Sequence, residues 1–150
     1  MARESLLTTD NYIEILNSLT VSEWKPLFDL IPLIEKEKEF GKMEGCEKIE
    51  EGVFSMPYMD SHKIVDTFLN VVYDIPIIID FNWVSWQDGR SILNDEYFDF
   101  DSIDIPAKCK LITAIVRNDR FCEGALVSAF ESGIMLKILK SVMKEIGKTI

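Results

Sequence analysis

Two short stretches concentrate the residue types that bind or react. The first runs from Arg117 to Gly133, RNDRFCEGALVSAFESG, and joins arginines, carboxylates, a thiol and glycines. Phe121, Ala125, Leu126, Ala129 and Phe130 recur at helical spacing. Asp119 can cap that helix by accepting from the free amides of its first turn. Arg117 and Arg120 flank the helix start, and guanidinium forks beside helix amides suit phosphate or carboxylate. This corner is a candidate anion site, with Glu123 as the adjacent counter-charge. The competing reading pairs Arg117 and Arg120 with Asp119, Glu123 or Glu131 to lock a corner between helices. Cys122 beside Arg120 suits a stabilised thiolate, and Glu123 opposes it. A Cys122–His62 nucleophile–base pair requires two distant segments to meet.

The second stretch is Asp80-Phe-Asn-Trp-Val-Ser-Trp-Gln-Asp88. Trp83 and Trp86, three apart, can wall a ligand pocket with Asp80 and its polar neighbours. Alternatively the indoles anchor a short helix to the core and Ser85 caps it. His62, the only histidine, is expected exposed in the first turn of a helix. A general-base role for it needs a partner that the sequence does not identify. Asp99, Asp101 and Asp104 lack the glycine and distal glutamate of a calcium loop, so Asn94–Asp104 reads as a solvated acidic loop. Cys46, Cys109 and Cys122 are odd in number, scattered and without a CxxC. Neither a disulfide framework nor a zinc site is expected, and no metal or cofactor is assigned.

The stretch RNDRFCEGALVSAFESGIMLKIL resembles the C-terminal signature of a family of uncharacterised bacterial proteins, a domain of unknown function. IVDTFLNVVYDIPIIIDFNWVSWQDGR resembles the same family's central block. The blocks, Ile64 to Arg90 and Arg117 to Leu139, cover about a third of the chain. The resemblance implies a single compact domain and carries no mechanism.

A chain of 150 residues is most simply one domain with a sizeable core. Its 47% apolar and 28% charged content fits an ordinary globular protein. No apolar run spans a bilayer and MARESLLTTDNY lacks a secretory core, so a cytoplasmic protein is expected. The net charge of −10 is uneven: residues 1–100 hold 20 acids and 8 bases (−12), residues 101–150 hold 6 and 8 (+2). Such a first part repels phosphates, arguing against nucleic-acid binding.

The elements that must position these residues are mostly helices. Thr9 can cap a first helix with Tyr12, Ile13, Leu16 and Leu19 inward. Thr20-Val-Ser-Glu23 is a capping box for a second, with Trp24, Leu27, Phe28, Ile31 and Ile34 buried. Pro32 should kink or split that helix. Lys42–Met59 reads as a hairpin or irregular excursion, with Val53–Met56 the better strand. Met59-Asp60-Ser61 then opens a helix capped by Asp60, buried through Ile64, Val65, Phe68, Leu69, Val72 and Ile75 and ended by Pro76. Ile77–Ile79 is a short strand or extended crossing. Asp104-Ile-Pro106 starts the next helix, with Cys109, Ile112, Ile115 and Val116 inward. Gly133 separates the Arg117 stretch from a last helix, Ile134–Ile146, with Lys137, Lys140, Lys144 and Lys148 outward. The fold class is therefore mainly α (α+β), a compact multi-helix domain with a small hairpin or short strands.

Three functional classes compete. A helix-turn-helix reader would use the last helix, which lacks the Arg, Asn and Gln that read base edges. An enzyme or small-anion binder would use the Arg117/Arg120 corner. A binding or regulatory module would act through protein contacts, its acidic surface docking a basic partner or a second copy. The last is preferred, without membrane or nucleic-acid partners.

Overall fold

The computed structural model describes residues 9–44, 48–50, 52–54, 58–122 and 124–147. It is mainly helical, as expected. The order is α1 Thr9–Ser18, α2 Val21–Phe28, α3 Leu30–Lys36, β1 Gly41–Glu44, β2 Lys48–Glu50, β3 Val53–Phe54 and β4 Tyr58–Ser61. Then come α4 Lys63–Asp74, a 3-10 turn Trp83–Ser85, α5 Gln87–Leu93, a second 3-10 turn Phe100–Ser102, α6 Ile105–Asn118, α7 Ala125–Glu131 and α8 Ile134–Gly147.

Two helices organise the core. α6 touches α1, α5, α7 and α8, while α8 touches α2, α3, α6 and α7. α6 is buried well beyond the expected stripe: Ile105, Lys108, Cys109 and every residue from Leu111 to Val116 are inside. α8 turns Met135, Ile138, Leu139 and Val142 inward. Phe130 of α7 meets Phe40 at 5.3 Å and Phe68 of α4 at 5.1 Å between ring centroids, tying three segments together.

Several elements form for the reasons the sequence supplies. Thr20 Oγ1 accepts from Glu23 N at 3.2 Å and Glu23 Oε1 accepts from Thr20 N at 3.0 Å, completing the capping box of α2. Pro32 has no N–H to bond the carbonyl four residues back, and its ring collides with that carbonyl. The chain accordingly turns at Asp29, and Pro32 falls in the first turn of α3, where no donor is required. Asp104 Oδ1 accepts from Ala107 N at 3.0 Å and Pro106 sits in the first turn of α6.

Other expectations are corrected. Ile13 is exposed, because α1 lies mainly along α6 and buries only Tyr12 and Leu16 deeply. Met59–Ser61 do not open a helix. They belong to β4, which pairs antiparallel with β1 in the register Gly41↔Ser61 to Glu44↔Tyr58. The strand expectation at Val53–Phe54 is met by pairing with β2, while Ser55–Met56 and Cys46 lie outside the described residues. α4 is capped by His62 rather than Asp60: its Nδ1 accepts from Ile64 N at 3.0 Å.

Ile77–Ile79 is an extended crossing and forms no strand. All three residues are buried, so their backbone groups need partners. Tyr12 Oη donates to Ile77 O at 2.5 Å, and the single Thr113 hydroxyl proton is shared between Cys109 O at 2.9 Å and Ile77 O at 3.2 Å. Thr113 Oγ1 also accepts from Ile79 N at 3.3 Å. Thr113→Val is expected to cost about 2 kcal/mol, because it leaves the Ile79 amide unsatisfied in the core. Chemical denaturation of the variant checks this.

The Asn94–Asp104 loop is largely exposed, as expected, but it is anchored at Phe100 and Asp101. Phe100 is buried, and Asp99 Oδ1 caps the turn by accepting from Asp101 N at 3.0 Å. Asp101 then reaches α8, where its Oδ1 accepts from Ser141 Oγ at 2.5 Å and its Oδ2 from Lys144 Nζ at 2.9 Å. The Lys144 hydrogen bond, followed by that of Ser141, lowers the Asp101 carboxyl from 3.8 to about 2. A lowered folded value means that the carboxylate stabilises above about pH 3.8 and that this contribution fades as pH falls to about 2. Asp101→Asn should thus differ from wild type at neutral pH, with the gap closing across that window. Urea midpoints measured against pH test it.

Candidate functional site

A cavity assembles where α5, α6 and α7 meet the Trp83–Trp86 segment. It encloses about 700 Å³, within the range of small-ligand sites. Trp83, Trp86, Leu93, Ile115 and Ile134 give it apolar walls, and Arg90, Asn94, Asn118 and Ser128 give it polar points. Trp83 and Trp86, which the sequence offered either as pocket walls or as anchors of the following helix, both line it.

Local sequence explains how the wall is held. Phe81 packs edge-to-face on Trp86 at 5.5 Å. Trp86 lies over Gly89, where an added Cβ would fall 2.2 Å from Trp86 Cε3. A glycine inside α5 is thus the residue that admits the indole. Ser85 does not cap α5; its hydroxyl donates back to Asn82 O at 3.3 Å. Arg90 Nη2 donates to Val84 O, fastening the guanidinium to the Trp83–Ser85 turn. Phe121, expected on an inner helix face, is 79% exposed and tilts against Trp83 at 6.0 Å at the rim. The helix it was assigned to starts only at Ala125, because Gly124 adopts a left-handed φ of 93°.

A second cavity of about 420 Å³ adjoins the first. The two share Leu93, Asn94, Ser132 and Ile134. Its further lining includes Asp95, Glu96, Tyr97 and Lys137.

The arginine corner has a different form from the one expected. Arg117 is half-buried in the last turn of α6 and Arg120 is exposed; neither lines the cleft. Asp119 Oδ1 accepts from Gly124 N at 3.2 Å and Leu126 N at 3.1 Å. Its carboxylate therefore occupies the amides that an anion would need. Among the described residues, no carboxylate pairs with Arg117 or Arg120, so the expected lock to Asp119 or Glu131 is not formed. Glu123 lies outside the described residues. Asp80 is exposed and lines neither cavity.

The thiols divide cleanly. Cys109 is fully buried, and that burial pushes its thiol up to about 12. Cys122 is exposed and lines the cleft. His62 is not beside it. Its Nε2 lies 3.1 Å from Glu37 Oε2, while Nδ1 accepts the Ile64 amide, so both ring nitrogens are engaged. The Cys122–His62 pair is not assembled. Among the described residues no group of three metal-ligating side chains occurs, and no helix is long and apolar enough to cross a membrane.

The last helix packs along the core. Its inner face is core, and two of its outward lysines form surface ion pairs, Lys140 with Glu35 at 2.8 Å and Lys144 with Asp101 at 2.9 Å, while Lys137 is exposed and Lys148 lies outside the described residues. Sequence reasoning missed Lys108, which is 1% exposed and donates to Glu145 Oε1 at 2.7 Å and Ser141 O at 3.4 Å. It also missed Arg90, Asn94 and Asn118. The signal for Arg90 was its place three residues beyond Gln87, on the helix that Trp86 introduces.

Fold and site together define a small, mainly helical protein with a tryptophan-walled cleft beside its central helix. The chain belongs to DUF6508, a family of unknown function whose pattern matches residues 19–148. Neither the comparison with curated proteins nor that with solved structures gives a match.

Proposed function

We propose that this protein is a binding module and that the cleft walled by Trp83 and Trp86 is its site. The observation that carries the reading is the cavity of about 700 Å³, in which apolar walls converge with a few polar groups. Ligand contact there would reach α6, and through it much of the core. No nucleophile–base pair lies in the cleft among the described residues, which favours binding over catalysis.

A thermal-shift screen of small apolar compounds tests the reading, with Ser128→Trp as control. Ser128 is exposed and lines the cleft, so an indole there fills the space at little cost to the core. A ligand at a hundredfold excess over its Kd adds about 2.7 kcal/mol. Compounds that stabilise wild type should leave Ser128→Trp unmoved. Equal shifts in both proteins would refute the site.

A second reading, docking of a basic protein, draws on the acidic loop. Tyr97 is 87% exposed beside Asp95 and Glu96, an aromatic anchor with a negative surround. Asp99 and Asp101 are less available, being used in the turn and on α8. A basic partner captured at low salt should be lost when Asp95 and Glu96 are neutralised together. Undiminished capture would remove the loop from consideration.

A further inference from the structure

We infer that the cleft selects a monoanionic aromatic ligand, an aryl carboxylate, with its head group at Arg90 and its ring against the tryptophan wall. This rests on the cleft being the binding site. Of the described residues lining the larger cavity, Arg90 is the single charged one. The chain carries a net charge of −10, so a lone cation in the main cavity runs against the charge of the whole protein. Among the described residues no carboxylate pairs with Arg90. Among the described residues the guanidinium makes one hydrogen bond, to Val84 O, which holds it and leaves further N–H donors unspent.

A planar carboxylate matches that fork, and a charge-assisted bond is the strong kind. One cation favours one negative charge; a polyphosphate would bring charges that the lining does not meet. Trp83 and Trp86 offer aromatic surface for a ring, and Ile115 and Leu93 add apolar lining. The adjoining cavity carries Asp95 and Glu96 beside Lys137. An acid head group is disfavoured at that end, so the ligand is oriented toward Arg90.

Isothermal titration with 2-naphthoate and its neutral counterpart 2-naphthamide tests the assignment on the full chain. Wild type should bind naphthoate at least about tenfold more tightly than naphthamide. Arg90→Met should bring the two within about twofold of each other, with naphthamide affinity kept as the sign of an intact cleft. Arg90→Gln, whose amide can still donate to Val84 O, is the second variant with the same expectation, should Arg90→Met fail to fold. Equal binding of both compounds by wild type would overturn the carboxylate assignment and leave the cleft reading standing. A preference surviving in the folded Arg90 variants would overturn it likewise. Binding of neither compound would overturn both.

Discussion

Glu145→Ala should destabilise the protein by about 3 kcal/mol, while Lys108→Met should cost about 1 kcal/mol or less. The asymmetry follows from where each charge sits. The Lys108 side chain is 1% exposed and that of Glu145 is 39% exposed. Removing the carboxylate strands an ammonium in the core with only the Ser141 carbonyl, 3.4 Å away, as acceptor. Removing the ammonium leaves a carboxylate that turns to water, and Met fills the lysine's volume with an apolar chain. At this chain length the first change corresponds to a fall in Tm of roughly 6–12 °C. Urea denaturation of both variants decides the matter. Equal costs, or the reverse order, would show that Lys108 reaches water in solution.

Gly89→Ala should also be destabilising, by about 1–2 kcal/mol, although alanine is ordinarily the better helix former by about 1 kcal/mol. The added methyl would lie 2.2, 2.6 and 2.7 Å from Trp86 ring carbons. The indole must leave, and the Phe81 contact at 5.5 Å goes with it. The near-ultraviolet circular dichroism of the tryptophans should change and cleft binding should fall. A variant at least as stable as wild type, with an unchanged spectrum, would mean that Trp86 does not lie over Gly89.

Much of the framework was legible in local chemistry. The capping box at Thr20, the break before Pro32, the helix start at Asp104-Ile-Pro106 and the turn at Gly133 each depend on a few neighbouring residues. What failed depended on distant partners. Met59–Ser61 resembled a helix start, but its pairing with Gly41–Met43 is a long-range choice. Asp101 lay in an acidic run that resembled a solvated loop, and only Ser141 and Lys144, about forty residues on, make it a clamp. Lys108 could not be separated from a surface lysine, because its carboxylate partner lies on another helix.

The candidate site was half legible for the same reason. Trp83 and Trp86 were identified by residue type and spacing, and both reach the cleft. Arg117 and Arg120 were chosen for their nearness to a helix start, but the side chain of Asp119 filled that start. The arginine that does line the cleft, Arg90, came from a helix with no conspicuous charge pattern.

The three indole N–H signals give the most direct test of the cleft as the binding site. Trp83 and Trp86 line it, whereas Trp24 is fully buried elsewhere in the core. Nitrogen–proton correlation spectra recorded through a titration with 2-naphthoate should move the Trp83 and Trp86 signals together and leave Trp24 in place. Movement of Trp24 alone, or no movement at a concentration where calorimetry detects binding, would place the ligand elsewhere and contradict the cleft assignment.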